Sequence, residues 1–504
     1  MQVGLTVFAK SDGPLTKRIS LAENGSLTSD SSACIMAHGT ARRFEFCGAL
    51  QFAALIEQLP SHEAIALGAL RRDLPDRVDV VTKRKLSGAL RPDIIARTAD
   101  YLTYEAGRPA LALIDHDTKA MPPGVRARID ALGGLWPALI SSCPALTSVA
   151  RIERRSTSAG LYRTDTGAEL PGSGGRHVFI FVRDGTDCER FLKTLHLRCW
   201  LAGFGWMMTG AGGQLLERSI VDRVVGSPER LVFEGPPILD PPLAQDQASR
   251  CPKAIEGPAL DTIAACPPLD SLEQAKIREL RAKETIRLSQ HARKARGVFI
   301  TSHVPRLSER TGLAEVEARR LIERQCDGIL LPGLALPFDD EELAGATVAD
   351  VLADPGRFEG ETLADPLEGI EYGTGKAKVL LRADGTPWIN SFAHGRTIYE
   401  LRFDYRVAAA AIEKAPKIDA DDLFVRYALA GDLDEGEIEA LRNLAYSRSG
   451  TGKRALDHSS RMAERGRRVH AHNKSATAGW PSARTRARRF QCRNPMRNGC
   501  PPWA

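Results

Sequence analysis

Residues 110–117, Ala-Leu-Ala-Leu-Ile-Asp-His-Asp, constrain the fold more than any other stretch of the chain. Five apolar residues in a row, bounded by turn-forming residues, predict a strand buried on both faces. The run then ends in two acids spaced by one residue. Side chains alternate along a strand, so Asp115 and Asp117 share a face and repel each other. Such a pair is costly to bury unless something positive lies between the carboxylates. A hard divalent cation such as Mg²⁺ takes one or two carboxylates together with phosphate oxygens and water, and D-x-D spacing suits it. The same spacing also occurs in solvated turns and helix caps, so further residues must decide.

The pattern around this strand predicts an α+β catalytic core over residues 65–245. "VDVVTK" (78–83) and "ALALID" (110–115) predict strands. Between them "PDIIARTADYLTYEAG" has helical spacing through Ile95, Ala99 and Leu102. "GGRHVFIFVRDG" (174–185) predicts a strand with turns at both ends, and "DCERFLKTLHLRCWLAG" an amphipathic helix burying Phe191, Leu192, Leu195 and Trp200. Residues 1–64 form an N-terminal segment of short apolar runs without a firm assignment. Residues 246–270 are proline-rich and predict a linker or surface wrap. Residues 271–326 are helical, opening with a charged helix over 271–296 whose alternating signs predict a solvated face laced by i,i+4 pairs. "LSERTGLAEVEARRLIERQ" has the spacing of a small helix-turn-helix. Residues 327–446 predict a smaller α/β accessory module with strands "KAKVLLR" and "TIYELRF". Residues 447–504 form a basic tail.

The chain has 504 residues and a net charge of +6, and that charge is unevenly placed. Residues 451–504 hold 13 Lys and Arg against 2 Asp and Glu, so the rest of the chain is at −5. The tail, rich in Arg, Pro, Asn and Gly, predicts disorder. Nucleic acid, if bound by the body, meets a local patch and not a global field. The ten cysteines are scattered with no C-x-x-C pair, which argues against a thiolate zinc site. No stretch has the length and apolarity of a membrane span or signal peptide, so a cytoplasmic protein with no membrane partner is expected.

Two further features join the acids. In "GSGGRHVFIFV" the small residues before Arg176 and His177 let backbone amides approach an anion, and those two side chains add donors at a strand start. In "ERSIVDRVV", Asp222 is a third carboxylate at the end of an apolar run. Three acids fit a two-metal site that activates a hydroxyl and stabilises a leaving pyrophosphate.

Together these motifs resemble the archaeo-eukaryotic primase superfamily in its plasmid and prophage branch. The resemblance rests on "LIDHD" (Asp115, Asp117), "GRH" (Gly175–His177) and "VD" (Val221, Asp222), with similar flanks in "RRSTSAGLY" and "RSIVDRVVGSPERLVFEGPP". It covers about 65–240. One departure is His116, which stands where the family carries an apolar residue. Facing away from the site it is tolerated; facing it, it perturbs metal affinity. The segments "TVADVLADPGRF", "LADPLEGIEYG" and "INSFAHGRTIYEL" are similar to the region that follows the core in prophage primase–helicases. His394 in "SFAHG" is expected to be structural.

The resemblance implies an RRM-like core with flanking helices, and a metal-dependent primase or polymerase acting on single-stranded DNA with NTPs or dNTPs. Asp115, Asp117 and Asp222 would be catalytic and hold Mg²⁺ or Mn²⁺. His177 and Arg176 would grip the triphosphate, with Ser156, Ser158 and Arg218 as further nucleotide contacts; a surface ion pair is the plain alternative for Arg218. A P-loop needs G-x-x-x-x-G-K-[ST]. "GTGKA" (373–377) and "GTGKR" (450–454) lack the first glycine and the hydroxyl, so no ATP motor is expected and a replicative helicase would act in trans. The change in composition after about residue 457 fits a remnant of a longer primase–helicase. Two rival readings are a non-catalytic replication-initiation DNA-binding protein with the same fold, and a metal-dependent nuclease using the same acids.

Overall fold

The computed structural model describes residues 2–477 except 24, 87–90, 119, 171–173, 371–372 and 394–397, with backbone alone at 84 and 466–477. His394 lies outside the described residues. The chain mixes 40% helix with 24% strand, and nearly all strand pairs are antiparallel, as an α+β chain requires. It divides into two units, residues 1–402 and 403–504.

Unit one is organised around a four-stranded antiparallel sheet. Its order is Ala110–His116, Arg176–Val182, Arg151–Arg155, Lys253–Ile255. The apolar run from Ala110 to Ile114 is buried residue by residue, as predicted for a strand covered on both sides. Its register against the His177 strand runs from Ala110 opposite Val182 to His116 opposite Arg176. Phe179 meets Phe52 edge-on at 5.0 Å, and Phe181 meets Phe46 at 6.2 Å. Phe52 belongs to helix Gly48–Gln58, where Ala49, Phe52, Ala53 and Ile56 recur at helical spacing on one buried face. Phe46 ends strand Gly39–Cys47 of a six-stranded sheet built from Gln2–Lys10, Gly39–Cys47, Glu63–Ala66, Arg77–Val81, Ile94–Ala96 and Leu231–Val232.

These contacts correct three expectations. Residues 1–64 are not a separate segment: Val3, Leu5, Phe46 and Phe52 share one core with Leu111 and Phe179. The stretch 92–107 is not a helix but two short strands, Ile94–Ala96 and Leu102–Thr103, with Ile95 and Leu102 buried in a satellite core. Its 3.6-residue spacing was too brief to prevail over β-pairing to Arg77–Val81. The proline-rich 246–270 is not a linker either. Lys253–Ile255 forms the outer strand of the central sheet, where a proline beside the strand does no harm, and Leu260 and Cys266 are buried in the main core.

Helix Ser271–Thr311 starts at a capping box made by Asp270 and Glu273 and ends at Gly312 in the left-handed conformation. At 41 residues it is about 60 Å long. A three-residue turn leads to helix Glu315–Cys326, so the helix-turn-helix spacing is realised. Acidic Glu315 and Glu317 occupy the end that would have to enter a groove, which repels phosphate. Beyond it, five strands between Ile329 and Leu401 form a second sheet.

Unit two is helical: Tyr405–Lys414, Ala420–Ala430, Glu435–Ser449 and Lys453–Thr477. The accessory module therefore ends at 402, not 446. The tail also begins later than its composition suggests: Leu456 is buried and Arg442 pairs with Asp457 at 2.7 Å. The eight described cysteines are free thiols. Among the described residues no helix is long and apolar enough to cross a membrane.

Candidate active site at the end of the Asp115 strand

The central register sets Asp115 directly opposite His177, and His177 opposite Arg154 on the next strand. All three side chains therefore share the face that packs toward Phe52. His177 Nε2 lies 3.7 Å from Asp115 Oδ1, and the Asp115 side chain is 34% exposed. On the far side of the ring, Nδ1 donates to Glu234 Oε1.

Glu234 is wholly buried, yet it is charged. Burial alone would raise its pKa. His177, Arg154 and Arg250 outweigh burial and hold it below the usual carboxylate range. Arg154 Nη1 reaches Glu234 Oε2 at 3.0 Å and also donates to the carbonyls of Ile56 and Glu234. Arg250 is buried beside them, its guanidinium brought down to about 10, first by burial and then by Arg154. His177 answers the same balance: burial opposes its charge, but Glu234 and then Asp115 raise its pKa. One buried carboxylate thus faces two guanidiniums and an imidazole that it holds toward the charged form. The excess positive charge lies behind a ring whose Nε2 points toward a half-open acid.

Asp222 arrives from a distant hairpin, Gly205–Thr209 with Leu215–Ser219. Its amide donates to the Asp115 carbonyl at 3.1 Å, so the two acids are neighbours through the backbone. Two buried histidines hold the preceding carbonyls. His116 Nδ1 donates to Ile220 O and His196 Nδ1 to Val221 O, each at 3.1 Å. His116 therefore faces away from the Asp115 side of the strand. Burial lowers its pKa, which keeps the ring neutral for this role. His196 Nε2 in turn meets Glu217, whose carboxyl falls to about 2 because hydrogen bonds from His196 and Arg281 overcome burial.

The three acids sense one another. The Asp115 pKa is raised, first by burial, with Asp222 and Asp117 adding repulsion and His177 and Arg230 opposing it. Asp117 is exposed just past the strand end. Asp222 Oδ1 accepts from Val224 N at 2.9 Å. An all-carboxylate donor set fits a hard cation, whose charge would relieve this repulsion. Among the described residues, no three His, Cys, Asp or Glu side chains converge closely enough to hold a metal as they stand.

The other expected residues divide. Ser156 and Ser158 lie beside the site: Ser156 N donates to Gly175 O at 3.0 Å, and their hydroxyls are 3.4 Å apart. A Cβ at Gly175 would come within 3.2 Å of His116 O and Ser156 Oγ, which explains the glycine. The Gly174 amide is not open to an anion, because Thr118 Oγ1 takes it at 3.1 Å. Arg176 is exposed and, being adjacent to His177 in a strand, projects from the opposite face. Arg218 alternates away from Glu217 on its strand; the arginine that acts on Asp115 is Arg230. Glu234, Arg154, Arg250 and Arg230 escaped the sequence reading. The one available signal was an acid interrupting the apolar run "LVFEG". No family model, curated protein or solved structure matches this chain.

Proposed function

We propose that the chain is a metal-dependent nucleotidyltransferase that builds primers on single-stranded DNA from NTPs or dNTPs. The observation that carries this reading is the opposition of Asp115 and His177 across one register position, with Glu234 behind the ring and Asp222 bonded to the Asp115 carbonyl. His177 would form an anion-binding side of the site, with Arg154 and Arg250 adding positive charge from behind the ring, and the acids a cation-binding side once a metal draws them together. That division suits a nucleoside triphosphate, whose phosphates need both.

The strand connections support it. Within this sheet Ala110–His116 leads through two helices to Arg151–Arg155, then, past the short strand Leu161–Arg163 that pairs elsewhere, to Arg176–Val182 and helix Cys188–Leu201, and the first sheet strand pairs with the third. An RRM-like core begins in this way. Asp115, Asp117 and Asp222 would hold Mg²⁺ or Mn²⁺, which supplies charge stabilisation at the transferring phosphoryl group and a more acidic hydroxyl. His177 would donate from Nε2 to a phosphate oxygen, with Glu234 fixing the ring and keeping it charged. Ser156 and Ser158 stand close enough to contact sugar or phosphate.

The test is incubation of purified protein with single-stranded DNA, Mg²⁺ or Mn²⁺ and labelled NTPs or dNTPs. New oligomers are expected, and Asp115→Ala or Asp117→Ala should lower their yield by at least about a thousandfold. A shortened template would identify a nuclease. A shifted but unchanged template would identify a DNA-binding protein without catalysis. Full synthesis by Asp117→Ala would overturn the assignment.

A further inference from the structure

The long helix Ser271–Thr311 is fully buried only near its two ends; between them one face backs on the turn at Gly213, beside Ala292 and Arg296, and the opposite face is bare. Near its start Ile277 joins a cluster with Trp200, Leu197, Leu201 and Met207. Near its end Phe299, Ile300, Val304 and Leu307 are buried. No residue from 282 to 298 is buried. The alternating signs predicted for this helix hold only in its first third, where Lys276 pairs with Glu279 and Glu284 with Arg287. Residues 285–308 then contain no Asp or Glu, but five Lys or Arg and two His. This in a body whose net charge is −5 outside the tail.

Acids from elsewhere neutralise only part of it. Arg296 reaches Asp327 at 2.6 Å, and Arg281 reaches Glu217 at 2.6 Å. Lys283, Arg293 and Lys294 are exposed and have no ionic partner among the described residues. At 100° per residue, Lys283, Arg287 and Lys294 fall within about 40° of one another, with Arg293 flanking them. They span about 17 Å of a stiff rod. That length spans only a few phosphates of a single strand, in line with the few cations it carries. Arg281 grips the hairpin that leads to Asp222, and Lys283, about 160° around the helix from it, opens to solvent on the opposite face.

We propose that this bare face of the helix, from Lys283 to Lys294, binds the phosphodiester backbone of a single DNA strand. As a handhold for the template, it rests on the nucleotidyl-transfer reading. An anionic membrane is disfavoured, because a surface-lying helix needs an exposed apolar stripe. Between 282 and 298 the large exposed apolar residues are Ile286 and Val298, twelve positions apart and about 120° around the helix.

The test is the full chain carrying K283Q, R293Q and K294Q together, titrated with fluorescein-labelled oligothymidine across a salt series. Three lost phosphate contacts should make the slope of log K against log salt shallower by about 2. A conservative set, K283R with R293K and K294R, should restore it. An unchanged slope in the glutamine variant overturns the proposal. So does a variant that keeps DNA affinity but loses binding to phosphatidylserine vesicles. Asp117→Ala separates this from the catalytic reading. DNA binding that depends on Lys283 and Lys294, in a protein that makes no product, sustains the surface and removes the enzyme. Product formation with a salt slope indifferent to these residues does the reverse.

Discussion

Two carboxylates in unit one are equally inaccessible, and they are answered in opposite ways. Glu234 and Asp365 are both 0% exposed. Asp365, just past a strand of the second sheet, accepts among the described residues from neutral donors: the hydroxyls of Ser391 and Tyr399 and the amides of Leu367 and Glu368. Glu234 is answered by the guanidiniums of Arg154 and Arg250 and by His177, which it holds toward the charged form, and the imidazole has a second nitrogen aimed at Asp115. Neutral donors can satisfy a buried acid and lock a fold. Cationic donors do the same and also transmit charge to a surface, which is what a binding site for phosphate needs. The difference in partner, not in burial, separates the acid we propose to serve nucleotide binding from the acid that braces the fold.

Removal of either acid should break much of the fold. Glu234→Ala leaves two buried guanidiniums uncompensated, and Asp365→Ala leaves four donors orphaned; each should cost about 3–5 kcal/mol in urea unfolding. The isosteric changes sharpen the contrast. Asp365→Asn should lower stability while the folded protein keeps its affinity for Mg²⁺–dATP. Glu234→Gln should also weaken that affinity about 10- to 100-fold, because a charge-assisted contact from His177 is worth about 1.5–3 kcal/mol. Equal nucleotide affinity in the two variants would remove the distinction drawn between these acids.

Legibility in the sequence follows the same division. The Asp115 strand, the His177 strand and helix Cys188–Leu201 were readable because each has one strong local signal, a full apolar run or a helical period. Residues 92–107 and the proline-rich segment misled because pairing partners far along the chain decided them. Asp115, Asp222 and His177 were legible as motifs, but Glu234 was not. Its role comes from partners 57 and 80 residues away, at His177 and Arg154, and no spacing along the chain encodes such a contact. Arg176 projects from the other face for a simpler reason: period-two alternation keeps neighbours in a strand from sharing a face.

Glu217 offers a smaller test with a defined pH window. It braces the hairpin that carries Asp222, through His196, Arg223 and Arg281. Its pKa is depressed from 4.5 to about 2, so its contribution is present above about pH 4.5 and is lost as pH falls toward 2. At about 1.4 kcal/mol per tenfold change in proton affinity, the contribution is about 3 kcal/mol. Glu217→Gln should lower stability at pH 7 by up to that amount and flatten the acid limb of the stability curve between pH 4.5 and 2. An acid limb as steep as that of the unmodified protein would show that Glu217 is screened, and that the brace is weaker than its contacts imply.

The smallest effect concerns the second pair with opposed chemistry, the two histidines at the strand end. Glu234 holds His177 toward its charged form, whereas burial holds His116 toward its neutral form. A neutral ring suffices for His116, because its task is one hydrogen bond to Ile220 O. His116→Leu removes that donor and leaves a buried carbonyl short of a partner, at about 1–2 kcal/mol. His116→Asn places an amide donor near the former Nδ1 and should recover most of the loss. The local readout is the Asp222 amide, which donates to Asp115 O two residues beyond the clamp. Its hydrogen exchange should quicken about tenfold in His116→Leu, matching about 1.4 kcal/mol of local opening, and return in His116→Asn. Unchanged protection in the leucine variant would mean that His196 alone holds the segment, and that the ring between the two aspartates only fills space.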